Sequence, residues 1–351
     1  MNKGAKRFIP SLEQIHNIRL DQKHKKEALI ALRDIEKNTG YTLSKKLESQ
    51  IKEYAKETFG SSVYAYWLYV YAAFNQKFVE GWIPDNYFGK VVAPKINKGI
   101  GEVSQAKTLS RKILNTDLLP DRFYLIDKTF YDLNFNPIDP KEVHERLFEN
   151  NQEFFFKKDR SSQGKGVIKI TKDNFDMDTV LSFGDGVIQE SIVQSEWFDQ
   201  IITGSVASIR ITTVKDLNQQ VKARAALLRV GRRDSQFVEA KTSIKIPIID
   251  MNGTLEEYGL STDWKRYYKH PDSGFEFANQ KIPHFSKAVR VCEELHSKIP
   301  HFSVIGWDVV ITNNDEVRII EWNTKHPGIK LTEATIGPSF SDLNWENLWK
   351  D

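Results

Sequence analysis

Val304-Ile305-Gly306-Trp307-Asp308-Val309-Val310-Ile311 is followed, after Thr312-Asn313-Asn314-Asp315-Glu316, by Val317-Arg318-Ile319-Ile320-Glu321-Trp322-Asn323. Both runs are rich in β-branched residues and the joint carries turn-forming Asn and Asp, the pattern of a β-hairpin. A two-residue loop at Asn314-Asp315 and a four-residue loop over 313–316 predict the same register. In it Asp308 faces Glu321, Gly306 faces Asn323 and Val310 faces Ile319. Directly opposed carboxylates destabilise an antiparallel pair. A cation therefore belongs on that face, and two carboxylates with an amide oxygen are the hard oxygen donors that Mg²⁺ takes. The alternative is a solvated charged face on an edge hairpin, against which stands the apolar Val310–Ile319 pair one step inward. The metal reading also implies that removing one of the repelling carboxylates stabilises the metal-free protein slightly.

Working outward, 351 residues suffice for two or three domains, or for one with large subdomains. With 50 basic and 47 acidic side chains the formal net charge is +3, which argues against a nucleic-acid partner held by bulk electrostatics. The single cysteine, Cys292, excludes an intramolecular disulfide framework and fits a reducing cytoplasm. Ala288, Val291 and Leu295 recur around it at helical spacing, so it reads as a buried helix residue. The basic N-terminus has no apolar stretch of signal-peptide length behind it. The longest apolar run, 63–74, is too short to span a bilayer, which predicts no transmembrane segment. It is either a buried helix or one that docks on a membrane or a partner.

The first hundred residues are rich in helix formers. Ser11 to Phe59 is broken only at Gly40, and Ser61-Ser62 is placed to cap a further helix reaching Phe78. Residues 1–100 thus read as a helical accessory region, without a phosphate loop or metal constellation. From Lys95 onward strands, short helices and glycine-marked loops alternate, which is α+β or α/β character.

Phe154-Phe155-Phe156-Lys157 reads as a buried strand ending in a charge. Lys158-Asp159-Arg160-Ser161-Ser162-Gln163-Gly164-Lys165-Gly166 and a second strand, Val167 to Ile170, follow. Small residues and two glycines let backbone N–H groups converge on an anion, although no helix or Gly-Lys-Ser/Thr follows as in a P-loop. The other reading is an ordinary flexible turn. Gly186 to Val193 is a strand running into a polar bend. Ser208, Arg210 and Thr212 share one face of an alternating strand, where a mid-strand arginine suits carboxylate or phosphate binding or lies on an exposed sheet face. Arg229-Val230-Gly231-Arg232-Arg233 adds positive charge, part of it a solvated loop.

In this order, these features resemble the ATP-grasp superfamily. Lys107, in Ala106-Lys107-Thr108-Leu109-Ser110-Arg111-Lys112, matches the lysine opening the first nucleotide-binding helix. Lys157 matches the second lysine. Ser161, Ser162, Gly164, Lys165 and Gly166 match the phosphate loop, and Gln189, Glu190, Ser191 and Ile192 the adenine hinge. Asp308, Glu321 and Asn323 match the metal-binding Asp and Glu-x-Asn. The stretches 80–88, 208–210, 229–231, 270–274 and 305–308 are similar to the sugar-transfer-associated ATP-grasp group, which includes teichuronopeptide-type enzymes. Departures are Lys158, where many relatives carry proline, and a long tail after Asn323.

The resemblance implies an α+β ATP-grasp fold, two α+β subdomains over 101–193 and 194–351 gripping ATP behind the helical region. It implies a ligase joining a carboxylate to an amine through an acyl phosphate, with ATP and one or two Mg²⁺ ions (Mn²⁺ substituting) as cofactors. Arg210 and Arg229 would hold the acceptor carboxylate or acyl phosphate, and His270, Lys325 and His326 would face substrate. The group's name suggests an amino acid and a sugar acid of a cell-surface polysaccharide as partners. The sequence by itself identifies neither of them, nor the oligomeric state. The alternatives are a peptide ligase, a phosphotransferase, or a non-catalytic nucleotide-binding module of an assembly complex.

Overall fold

The computed structural model describes residues 12–150, 152–161, 166–233 and 242–350. The fold is α+β, with a helical N-terminal region and two antiparallel sheets. Contacts divide the chain into two compact units, Met1–Val92 with Ile329–Asp351, and Ala93–Gly328. Relative to the division read from the sequence, Ile329–Asp351 groups with the N-terminal helices instead of with the C-terminal subdomain.

In the first unit, helices Leu12–Thr39 and Lys45–Phe59 are separated at Gly40, whose φ of 72° suits glycine. Their buried positions, His24, Ala28, Ala31 and Ile35 on one and Ile51, Ala55 and Phe59 on the other, recur at helical spacing. The apolar run forms the helix Ala65–Asn75, buried almost all round, so it is core and not a docking face. The helix stops short of Phe78, at Gln76 in the left-handed region. The Glu80–Phe88 stretch is tied down from the C-terminal segment. The buried Glu333 carboxyl accepts from the Ile83 N–H at 2.7 Å and the Ser339 N–H at 2.9 Å, and the Tyr87 hydroxyl donates to the Trp345 carbonyl at 2.9 Å.

The second unit carries both sheets. The smaller comprises β1 Asp121–Ile126, β2 Thr129–Tyr131, β3 Glu153–Lys158, β4 Val167–Thr171 and β5 Gly186–Glu190, in the order β2-β1-β5-β3-β4. The larger comprises β6 Ser208–Lys215, β7 Val221–Val230, β8 Ile244–Ile248, β9 Gly259–Leu260, β10 Arg266–Tyr267, β11 Val304–Ile311 and β12 Val317–Asn323. Its order is β10-β9-β8-β7-β6-β11-β12. The helix Phe285–Ser297 buries Ala288, Cys292 and Leu295 in the core cluster of the larger sheet, which places the single cysteine as expected.

The β11–β12 hairpin reaches the expected pairing of Asp308 with Glu321 and Gly306 with Asn323, by a different route. Its loop has neither two nor four residues. Thr312 and Glu316 close a three-residue loop, the Thr312 N–H donating to the Glu316 carbonyl at 2.9 Å, with Asp315 left-handed at φ 57°. That loop pairs Val309 with Ile319 and Val310 with Arg318, which corrects the expected Val310–Ile319 pair. A β-bulge at Ile320 then takes up the odd residue and restores Asp308 opposite Glu321. Two further bulges, at Arg122 in β1 and Arg224 in β7, interrupt their ladders in the same way.

Behind the larger sheet, Trp307 Nε1 donates to Thr213 Oγ1 at 2.8 Å, and Thr213 Oγ1 lies 2.7 Å from His296 Nδ1. His296 Nε2 lies 3.1 Å from the Phe302 carbonyl, which only accepts, so Nε2 carries a proton. Burial pushes its pKa down to about 4. The unfolded chain takes up that proton near pH 6.5 and the folded chain only near 4, so stability falls as pH drops through this window. Between pH 7 and 5 this one group should remove about 2 kcal/mol. Urea denaturation at both values should show a smaller loss in His296→Gln, and an equal loss in the two proteins would refute the assignment.

Candidate functional site

Adjacent strands of the larger sheet put their charged residues in one row. Arg210 on β6 is directly opposite Asp308 on β11, and Asp308 is opposite Glu321 on β12. The Asp308 carboxylate accepts from Arg210 Nε at 2.6 Å and Nη2 at 2.8 Å, a two-point grip, and from Arg229 Nη1 at 3.1 Å. Arg210 Nη1 also donates to the Pro327 carbonyl. Gly306 makes room for this arrangement. A Cβ there would lie 2.9 Å from Pro327 Cβ and 3.3 Å from Arg210 Nη1.

Two lysines join the row. Lys157 lies at the end of β3. Lys107 opens the helix Lys107–Leu114, its ammonium 2.9 Å from the Ser161 carbonyl and 3.9 Å from Glu321 Oε1. Four cations, Lys107, Lys157, Arg210 and Arg229, thus converge on two carboxylates. Burial pulls the Lys157 pKa down to about 8, against the pull of Glu321 and Asp121. Burial, reinforced by Arg210, takes Arg229 down to about 10. Burial pushes Asp308 up, but Arg210 and Arg229 outweigh it and hold it at about 2. Burial and the neighbouring Asp308 raise Glu321.

The charges therefore sort the two carboxylates. Asp308 spends three of roughly four lone-pair directions on arginines. Among the described residues, Glu321 has only the Lys107 ammonium at ion-pair range. Asn323 has a buried Nδ2 with no hydrogen-bond partner among the described residues, and the two ends of an amide exchange by a simple flip. Glu321, Asn323 and the remaining direction of Asp308 are thus a donor set that fits a hard divalent cation.

The loop expected to cover phosphate is fastened at its base. The Lys158 N–H donates to the Gly166 carbonyl at 2.9 Å, and the Ser161 hydroxyl to the Lys158 carbonyl at 2.6 Å. Asp159 accepts from the Thr108 N–H at 3.1 Å and hydroxyl at 2.7 Å, which ties the loop to the first turn beyond Lys107. Gly166 sits at φ 77°, with Lys158 and Ser161 Cβ atoms 3.0 and 3.1 Å from where its own would be. Ser162, Gly164 and Lys165 lie outside the described residues.

At the hinge, the Glu190 N–H donates to the Pro120 carbonyl at 2.8 Å and the Ser191 N–H to the Glu153 carbonyl at 3.3 Å. A polar cleft of about 360 Å³ opens beside Glu190, Ser191 and Ile192, and none of Lys107, Lys157, Asp308 and Glu321 lines it. Gln189 is buried and donates from Nε2 to Asp121 Oδ1 at 2.8 Å.

Of the residues expected to face substrate, His270 is fully enclosed. Its Nε2 lies 3.0 Å from the Gly231 carbonyl, and its Nδ1 accepts weakly from the Asp272 N–H at 3.4 Å, so neither ring nitrogen is left for a substrate. Asp272 grips Arg232 at 2.7 and 2.8 Å and the Arg233 N–H at 3.0 Å, which makes the 270–274 stretch a latch on the end of β7. Lys325 is exposed and paired with Glu102 at 2.7 Å, and His326 follows it, half-buried. Sequence reading missed Asp121, Asp159 and Asp272. Alternation places Asp121 on the Phe123–Leu125 face, and only the Arg122 bulge turns it toward Lys157.

Residues 178–344 match the family model described as sugar-transfer associated ATP-grasp, the group that the motifs resemble. No curated protein matches the chain. Among solved structures, an N5-carboxyaminoimidazole synthase from Aspergillus clavatus aligns at 11% identity over 63% of this chain and 44% of its own, with a TM-score of 0.36. The ATP-grasp ligase PsnB aligns at 13% identity over 71% of this chain and 62% of its own, with a TM-score of 0.40. The D-alanine-D-alanine ligase from Coxiella burnetii aligns at 13% identity over 73% of this chain and 59% of its own, with a TM-score of 0.41. The chain thus spans less than two thirds of each of these proteins, and likenesses this remote add nothing to the reading of the site. No helix among the described residues is long and apolar enough to cross a membrane.

The arginine pairing reverses one expectation, that losing either carboxylate relieves repulsion. Asp308→Asn leaves Arg210 buried without its counter-charge, which should cost about 3 kcal/mol or more in urea denaturation. Glu321→Gln, removing the carboxylate that burial disfavours, should leave stability unchanged or raised. An Asp308→Asn variant as stable as wild type would refute the pairing.

Proposed function

We propose that this chain is an ATP-dependent carboxylate–amine ligase of the ADP-forming type. The observation that carries the reading is the convergence of Lys107, Lys157, Arg210 and Arg229 on Asp308 and Glu321, with Asp121 beside Lys157, a net charge of +1 opposite in sign to a triphosphate with one divalent cation. The family match over residues 178–344 supports it.

On this reading Lys107 and Lys157 hold phosphate oxygens, with Ser161, Ser162, Gly164, Lys165 and Gly166 forming the loop that covers them and keeps water out. Gln189, Glu190, Ser191 and Ile192 receive the adenine. Mg²⁺, or Mn²⁺ in its place, held by Glu321, Asn323 and Asp308, would neutralise charge on the β- and γ-phosphate oxygens. The substrate carboxylate oxygen attacks the γ-phosphorus and ADP leaves. The amine then attacks the acyl carbon, phosphate departs with the C–O bond, and the nitrogen loses a proton. Arg229, of which only Nη1 is engaged by a described residue, is better placed than Arg210 to hold the carboxylate or acyl phosphate. Arg210, committed to Asp308 and Pro327, fixes the row. Subdomains over 101–193 and 194–328 would close on the nucleotide, and we assign the substrates to a sugar acid and an amino acid of a surface polysaccharide, made in the cytoplasm.

The test is incubation with ATP, Mg²⁺ and pools of uronic acids and amino acids. Phosphate release should need both a carboxylate and an amine, with a product mass equal to their sum less water. ADP with a stable phosphorylated product would mean a phosphotransferase, and no turnover with any pool would sink the reading. Lys157→Ala should weaken ATP binding by roughly 1.5–3 kcal/mol, the range for a hydrogen bond to a charged group. Arg229→Lys, losing the planar fork, should slow ligation at least about tenfold while ATP affinity stays near wild type.

A further inference from the structure

Asp121 belongs to no motif, yet the structure builds a buried acceptor around it. β1 alternates Phe123 and Leu125 into the core of the smaller sheet, and an unbroken strand would send Asp121 there too. The Arg122 bulge turns it over, so that Asp121 pairs with Gln189 while Tyr124 pairs with Val187. Gln189 and Val187 pair in turn with Phe155 and Lys157 of β3. Asp121, Gln189 and Lys157 therefore share the face opposite the Phe154, Phe156 and Ile188 core.

On that face the Asp121 carboxylate receives Gln189 Nε2 at 2.8 Å on Oδ1 and the Tyr124 hydroxyl at 3.1 Å on Oδ2. A carboxylate only accepts, so it fixes which end of the Gln189 amide it meets. The NH₂ turns to Asp121 and the carbonyl is left over. Gln189 is 3% exposed, and its Oε1 is buried with no hydrogen-bond partner among the described residues. A buried acceptor without a donor is costly, and a ligand that brings the donor removes that cost.

We propose that Asp121 is a positioning residue for nucleobase selection, fixing the Gln189 amide so that Oε1 accepts from an exocyclic amino group. The inference rests on the nucleotide-binding reading above and goes beyond it in naming the atom that chooses the base and the residue that sets it. Adenine offers an NH₂ at its 6-position. Guanine carries an oxygen there, which would set acceptor against acceptor. Were the amide reversed, the preference would reverse with it. Asp121 holds it one way because its own charge tolerates only the NH₂.

The test measures affinities of wild type, Asp121→Asn and Gln189→Met for ATP, GTP and purine riboside triphosphate, which lacks the exocyclic group. Wild type should bind ATP at least about tenfold tighter than either analogue, the factor for one such hydrogen bond. Asparagine offers an amide instead of a carboxylate and accepts Gln189 either way round, so the ATP-to-GTP ratio should fall at least about fivefold. Gln189→Met, near in volume but without the acceptor, should bring ATP and purine riboside triphosphate together. A merely structural role would lower all three affinities alike. Ratios unchanged in both variants, or no base preference in wild type, would overturn the proposal while leaving nucleotide binding in place. Wild type binding none of the three would overturn the nucleotide reading itself. Should Asp121→Asn not fold, the ratios of Gln189→Met and wild type decide.

Discussion

The two-point grip of Arg210 on Asp308, deep in the middle of the larger sheet, is the interaction on which the rest of the site depends. Taking two charges out of water is expensive, and only good geometry with the remaining hydrogen bonds filled makes it tolerable. Here Arg229 adds a third hydrogen bond to the carboxylate and Pro327 accepts a further one from the guanidinium. Each partner constrains a different segment. β6, β7, β11 and the chain after β12 are locked in register by one carboxylate, so the sheet cannot slip without stranding a buried charge. The same pairing releases Glu321. With Asp308 held by two arginines, Glu321 keeps only the Lys107 ammonium, at 3.9 Å, among the described residues.

The small residues and irregularities of the chain serve this arrangement. Gly306 leaves the volume into which Pro327 and the Arg210 guanidinium fit. The bulges at Ile320 and Arg122 each turn a carboxylate, Glu321 and Asp121, onto the face where the lysines gather. A strand with perfect alternation would bury one of them in an apolar core. Asp159 and Asp272 do comparable work at loop bases, the first joining the loop after β3 to the helix of Lys107, the second holding the end of β7. Such supports are carboxylates accepting several N–H or O–H donors at once, which fixes backbone at little cost in side-chain freedom.

The sequence by itself determined the composition of the elements and much of the site. Its aromatic run specified β3, its β-branched runs β4, β11 and β12, its helix formers the N-terminal helices, and its Asp308 and Glu-x-Asn the row on the hairpin. These were legible because period-2 and period-3.6 patterns are local, and because opposed charges across a hairpin depend on few residues. Tertiary structure decided what lies beyond that reach. Whether the Val63–Phe74 run was core or docking face depended on the helices that cover it. That Arg210 serves Asp308 and that His270 is a latch depended on strands far apart in sequence. The hairpin reached its expected register only because an odd loop and a bulge offset each other, and a bulge shifts faces by one residue without a signal in local propensity. Asp121 stayed hidden for the same reason, since a pattern reads faces by counting in twos and the fold, at that one residue, counts three.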